Sequence, residues 1–189
     1  MDEKLEKVRS TVKEAAEEFD WKFHLKLVVD YALKLGKLKN ANMEVVELGA
    51  LLHDIGRVKF GGKDHDITGV PEAEKILREL NYPEETIEKV KHCVHTHRAS
   101  VNRKAETIEA EIIRDADALS HFDALPLLAR AGLRKYEDDV QKTTEWIYAK
   151  LQRDWNNKMH LPESKEMVKE KYKAAMLLLE AALGKNGSN

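Results

Sequence analysis

A single cysteine, Cys93, stands in 189 residues. That excludes an intrachain disulfide framework and fits a reducing compartment. No low-complexity linker, internal repeat or strand-like alternation occurs, and only four prolines interrupt the chain. A β-rich fold and a repeat array are thereby set aside. The opening stretch MDEKLEKVRS lacks an apolar signal core, and no run approaches the roughly 18 apolar residues that span a bilayer. The reading is a cytoplasmic protein without a membrane segment. An excess of charge of one sign is also missing, because 35% of residues are charged yet the formal net charge is −2. No global field attracts nucleic acid or anionic lipid, so an anionic ligand must be held locally.

What the chain does have is helical periodicity. Leu5, Val8, Val12, Ala15 and Phe19 recur at three- and four-residue steps. A second helix fits Trp21 to Leu35 with Gly36 as its stop, and a third fits Asn42 to about Asp54 with Gly56 just past its end. After the Gly61-Gly62 loop, helices are expected to about Leu80, through about His97, and near 107–119, 123–134, 138–157 and 163–183. The expected fold is all-α, one compact domain over 1–185 with about eight or more helices. GKNGSN at 184–189 reads as a frayed tail. Met176 to Leu179, MLLL, suits core or a contact between copies, which leaves a homo-oligomer open.

The chemistry lies in ELGALLHDIGRVKF, where an apolar run ends in adjacent ionisable residues, His53 and Asp54. Buried groups of this kind must be hydrogen-bonded, paired or bound to a cation. His24 falls on the apolar stripe of its own helix, three residues after Trp21 and four before Val28, and so points inward. A lone inward histidine is more commonly a hydrogen-bonded core residue. Two of them with an aspartate favour a metal. In IEKVKHCVHTHRAS the stripe Ile87, Val90, Val94 leads to His97, whereas His92 and His95 fall on the face of Glu88. In EAEIIRDADALSHFDALPLLAR the aspartates Asp115, Asp117 and Asp123 sit among apolar residues, and periodicity does not choose between Asp115 and Asp117.

Taken together, His24, the pair His53-Asp54 in HDIGR and Asp117 in RDADAL resemble the signature of the HD-domain metal-dependent phosphohydrolases. DHDITGVPEAEKIL and VKHCVHTHRAS are similar to further family segments, so the likeness extends over nearly the whole chain. It implies an HD-domain fold with a metal-binding core at about 20–135 and C-terminal helices over 138–183. It also implies His24, His53, Asp54 and Asp117 as metal ligands, and His65 and His97 as catalytic residues or ligands of a second ion. The donor set suits Mn, Mg, Fe, Ni or Zn. The implied activity is hydrolysis of a phosphate ester or anhydride of a nucleotide-like molecule by a metal-activated water. From its place at the helix end Asp54 is expected to orient that water, and Arg57, Lys63 and Arg98, each next to a proposed site residue, are the cations at hand. A cyclic-nucleotide phosphodiesterase and a non-catalytic metal-binding sensor are the alternatives, and nucleic acid is not an expected partner. The sequence departs from its nearest-looking branch in reading DADALSH where that branch has DADRLDA. Ala118 and Ser120 thus replace a basic and an acidic residue, and if that basic residue holds a phosphate in the branch, this pocket must use another cation or accept a different ligand.

Overall fold

The computed structural model describes residues 3–98, 101 and 103–185, so Asn186 to Asn189 of the expected tail lie outside the described residues. The fold is all-α, and no strand occurs among the described residues. In chain order the α-helices are α1 (Glu3–Ala15), α2 (Glu18–Asp20), α3 (Lys26–Lys39), α4 (Met43–Leu52), α5 (Ile55–Phe60) and α6 (His65–Glu79). They continue as α7 (Glu84–Thr96), α8 (Ile108–Ser120), α9 (Leu125–Lys135), α10 (Val140–Arg153) and α11 (Pro162–Ala182). Two π-helical turns, Trp21–Leu25 and Asp154–Lys158, lead into α3 and out of α10.

The centre of the molecule is α4. Its residues Val45, Val46, Leu48, Gly49, Ala50, Leu51 and Leu52 are all buried, as expected of a helix that is apolar nearly all round. It is packed by α3, α7 and α8. Asn42 starts it by accepting the N–H groups of Glu44 and Val45 at 3.1 and 3.2 Å, and Thr107 starts α8 by accepting that of Ala110 at 3.2 Å. Among the described residues no helix is long and apolar enough to cross a membrane. Of the MLLL run, Met176 is buried while Leu177 and Leu178 are exposed.

The structure departs from periodicity at two glycines. Gly36 does not stop its helix, which runs on to Lys39 and ends at Asn40 in the left-handed conformation (φ 52°). Gly36 instead admits α4, since a Cβ there would lie 2.9 Å from the Met43 sulfur and 3.2 Å from Val46 Cγ1. Gly56 is not a terminator after α4 either. The chain breaks at His53-Asp54 and restarts as α5, with Gly56 inside it. A Cβ on Gly56 would come within 2.2 Å of the His65 carbonyl oxygen and 2.6 Å of the Gly69 nitrogen. Only glycine lets α5 lie against the start of α6, and that contact sets the distance between Asp54 and His65.

These obstructing atoms are backbone and cannot swing aside. Gly56→Ala is therefore expected to destabilise the fold by about 1–3 kcal/mol, read as a lower midpoint in chemical denaturation. An unchanged midpoint would contradict the close packing of α5 on α6.

Candidate metal centre

Five elements deliver side chains to one place. His24 comes from the π-helical turn before α3, His53 and Asp54 from the break after α4, His65 from the first residue of α6, His97 from the end of α7, and Asp117 from the last turn of α8. π-Turns recur where a helix must aim a functional side chain. Asp54 has backbone angles of φ −105°, ψ 15°, between the standard wells, which rotates its carboxylate beside the His53 ring.

Two groups of donors result. In His24, His53 and Asp117 one donor atom from each lies within 4.8 Å of the others, and the same holds for Asp54, His65 and His97. Asp54 joins the two. Its Oδ2 is 3.3 Å from His24 Nε2 and 3.9 Å from His53 Nε2, while its Oδ1 is 3.2 Å from His65 Nε2 and 3.5 Å from His97 Nε2. His24 Nε2 also lies 3.6 Å from Asp117 Oδ1 and 3.2 Å from His53 Nε2.

The protons on these imidazoles point away from the centre. Nδ1 of His53, His65 and His97 lies 2.7, 2.9 and 2.7 Å from the carbonyl oxygens of Ala50, Gly62 and Val94. A carbonyl can only accept, so each Nδ1 carries hydrogen and each neutral ring turns an Nε2 lone pair inward. His24 Nδ1 reaches Ser120 Oγ at 3.2 Å, and that hydroxyl donates onward to the Asp117 carbonyl at 2.7 Å, so His24 Nδ1 is also the donor. Four imidazole lone pairs and two carboxylates therefore face one another in a largely buried space. Asp54 Oδ1 is left buried without a hydrogen-bond partner. Acceptors facing one another repel, and a divalent cation is the species this donor set fits.

Burial pushes the His53 imidazole down to about 4 and lowers that of His65. Burial alone would raise the Asp54 and Asp117 carboxyls. The net direction is nonetheless downward for both, and with the imidazoles neutral the cations that act this way are Arg57 for Asp54 and Lys158 for Asp117. Neutral imidazoles and charged carboxylates are the forms that bind a metal.

Of the expected cations, Arg57 donates to Asp54 Oδ2 at 2.8 Å and approaches His65 Nε2 at 3.3 Å. Arg98 pairs with buried Asp66 at 3.1 Å and lines the cleft over the centre. Lys63 is exposed on its loop and does not line that cleft, because the chain there turns His65 inward and Lys63 out. Asp115 is engaged elsewhere. It is fully buried and accepts the backbone N–H groups of His160 and Leu161 at 3.0 and 2.9 Å, anchoring the start of α11.

Periodicity missed the C-terminal side of the site. The cleft has a volume of about 790 Å³, and α9, α10 and the second π-turn contribute Arg130, Arg134, Lys135, Lys150, Arg153 and Lys158 to its lining. These cations are dispersed among acids along the sequence, which hides their convergence. His121 was also missed. Its ring is 7% exposed and lies parallel to that of His24 at 5.9 Å, and its Nδ1 is 2.9 Å from Asp154 Oδ2.

Fold and site define an all-helical protein with an interior His/Asp centre suited to a divalent ion. A family model described as HD domain matches residues 23–121, and the chain belongs to the HD-domain family. Its structure is similar to Bacillus subtilis YpgQ in complex with ADP, with a TM-score of 0.73 and 25% identity over 98% of this chain and 96% of that one. An HD-superfamily hydrolase from Bacillus thuringiensis shares the fold at a TM-score of 0.74 and 21% identity, over 97% and 96% of the two chains. By sequence, a tRNA (cytidine(56)-2'-O)-methyltransferase of Thermoplasma volcanium is 34% identical over 129 residues, covering 63% of this chain and 36% of that protein. The corresponding protein of Picrophilus torridus is 30% identical over 127 residues, covering 61% and 35%. The chain thus spans about a third of these two relatives, and the activity in their name is a property of the longer proteins.

Ser120 fixes the tautomer of His24 from outside the donor set. Ser120→Ala is expected to weaken divalent-metal binding about 10- to 100-fold with helicity unchanged, as measured by competition with a chelating dye. Acid should act on the same region. His53 and His121 are both pushed by burial from an ordinary value of 6.5 to about 4, so between those values they are neutral in the fold and protonated when unfolded. The native state then binds fewer protons, and stability that is complete above pH 6.5 is lost as the pH falls toward 4. The melting temperature of the metal-free protein should drop across that range, and a rise on acidification would contradict it.

Proposed function

We propose that this protein is a metal-dependent phosphohydrolase that cleaves a phosphate ester or anhydride of a nucleotide-like small molecule, with water as the nucleophile. The observation that carries the reading is the convergence of inward Nε2 lone pairs and ionised carboxylates in a cleft that is also lined by six cations from the C-terminal helices. A divalent ion bound there supplies Lewis acidity to a phosphoryl oxygen and lowers the pKa of water. The chain's own groups do the rest. His24, His53 and Asp117, with Asp54 Oδ2, hold the ion. Asp54 Oδ1, turned to the opposite side, accepts a hydrogen bond from the attacking water and orients it toward phosphorus.

His65 and His97 present Nε2 beside that oxygen, 3.3 Å from each other, where they accept a proton from the water or ligate a second ion. Arg57 places positive charge there, which opposes a second cation beside His65 and equally opposes protonation of that ring, so His97 is the better placed proton acceptor for a centre holding one ion. Phosphate esters resist attack because their anionic oxygens repel nucleophiles, and the basic wall offsets that repulsion. A nucleotide as substrate is further supported by the ADP complex of the Bacillus subtilis relative. We assign the whole described chain to one HD unit, since α10 and the second π-turn contribute to the same cleft as α8.

With excess Mn or Mg, purified protein should release phosphate or pyrophosphate from a member of a nucleotide panel. The double variant His53→Ala with Asp54→Ala is expected to lose activity by roughly a thousandfold or more at unchanged helicity. Metal-replete protein inert to the whole panel would instead identify a non-catalytic metal-binding module, and a cyclic nucleotide as the best substrate would identify a phosphodiesterase.

A further inference from the structure

Beside the metal centre lies a cluster that the ion does not need. Asp154 and Lys158 open and close the second π-helical turn, and the turn brings Lys158 Nζ to 2.7 Å from Asp154 Oδ1. Lys150, one turn earlier on α10, places its ammonium 3.5 Å from Asp154 Oδ2. The same oxygen meets His121 Nδ1 at 2.9 Å, and the other edge of that imidazole faces Asp117 Oδ1 at 4.0 Å. Two side chains, Asp154 and His121, therefore link the lysines to Asp117. Both line the cleft that contains His24, Asp54 and Asp117.

The charges do not balance locally. Asp154 is fully buried, and one lysine suffices to neutralise it, yet two lysines are drawn out of water around it, with side chains only 12% and 10% exposed. Once a divalent ion takes up the charges of Asp54 and Asp117, the lysines face Asp154 alone and one positive charge is left over. Holding a surplus ammonium in a desolvated site is costly unless an anion joins it. The surplus lines the same cleft as the donors of the centre, where a phosphorylated ligand can meet both. It also replaces a missing element, since residue 118 is an alanine buried in the core and provides no cation to the cleft.

We propose that Lys150 and Lys158, fixed in place by Asp154, form an anion subsite that grips a phosphate group of the ligand beside the metal centre. The inference rests on the reading that the cleft takes a phosphorylated molecule, and it narrows that class. A ligand with two linked phosphates fills both the metal centre and the lysine pair, whereas a monophosphate fills one of them. Lys158 lies closer to Asp154 than Lys150 does, at 2.7 against 3.5 Å, and loss of Lys150 leaves Asp154 paired with Lys158 and His121. Asp154 is a positioning residue that does not itself touch the ligand.

The test is calorimetric titration of the Mn-loaded protein with the α,β-methylene analogue of ADP, which resists anhydride cleavage, alongside AMP and adenosine. Wild type is expected to bind the analogue more tightly than AMP, and AMP more tightly than adenosine. Lys150→Gln should weaken the analogue by about tenfold or more, leave adenosine unchanged and retain the full complement of Mn. Lys150→Arg should restore most of the affinity. Lys150→Met, which keeps the packed alkyl stem, substitutes should the glutamine variant lose helicity. Unchanged affinity for the analogue in the neutral variants, or an equal loss for adenosine, overturns the subsite, as does failure of wild type to bind the analogue. Phosphate release by wild type is scored separately. A wild type that binds through Lys150 but hydrolyses nothing removes the hydrolase reading and leaves the subsite standing. Hydrolysis that Lys150→Gln does not alter, with unaltered binding, removes the subsite and leaves the hydrolase.

Discussion

The structure depends on one electrostatic constraint: hydrogen-bond acceptors from five separate elements meet in a space largely closed to water, with no proton among the four imidazole edges to separate them. Each imidazole has committed its proton to a partner behind it, a carbonyl for His53, His65 and His97 and a hydroxyl for His24. Such an assembly is unfavourable by itself, because its lone pairs have lost water and gained like neighbours, which Arg57 at Asp54 Oδ2 and His65 Nε2 offsets only in part. A bound cation turns the same arrangement into a favourable one. The outward hydrogen bonds matter for that reason, since they decide in advance which nitrogen is available and aim it.

Local backbone geometry serves this constraint. The donors sit where helices begin, end or change pitch, because a side chain in the middle of a regular helix is confined to one face. The π-turn at Trp21–Leu25, the break at Asp54 and the cap position of His97 each free a side chain from that restriction. Gly56 contributes by having no side chain, which lets the start of α6 approach α5 and brings His65 within 3.2 Å of Asp54 Oδ1. Packing and chemistry are thus the same requirement at this point in the chain.

The cleft divides its work between two halves of the sequence. The segment 23–121, which the HD family model matches, provides the six donors of the centre. The helices after it provide most of the cleft's cations, among them Arg134, Lys150, Arg153 and Lys158. A net charge of −2 conceals this asymmetry, since acids elsewhere on the surface offset the basic wall. Local field, and not overall charge, governs what enters such a cleft.

Much was legible from the sequence because it depends on short-range periodicity. Three- and four-residue spacing identified the helices and turned His24, His53 and His97 inward, since helix geometry fixes which residues share a face. The resemblance in HDIGR and RDADAL selected Asp117 over Asp115, and coordinates show Asp115 engaged with the backbone of His160 and Leu161. Helix ends were less legible at Gly36 and Gly56, where glycine serves a close helix approach that no local pattern records. Ser120 behind His24, the tie from His121 to Asp154 and the lysine pair were decided by tertiary structure alone. Their partners lie 33 to 96 residues away or depend on a π-turn that shifts the helical register. Sequence determines which faces are apolar and which residues carry chemistry, because both follow from residue type and helical pitch. Which of those residues meet is decided by how the helices cross, and that is settled only when the whole core packs.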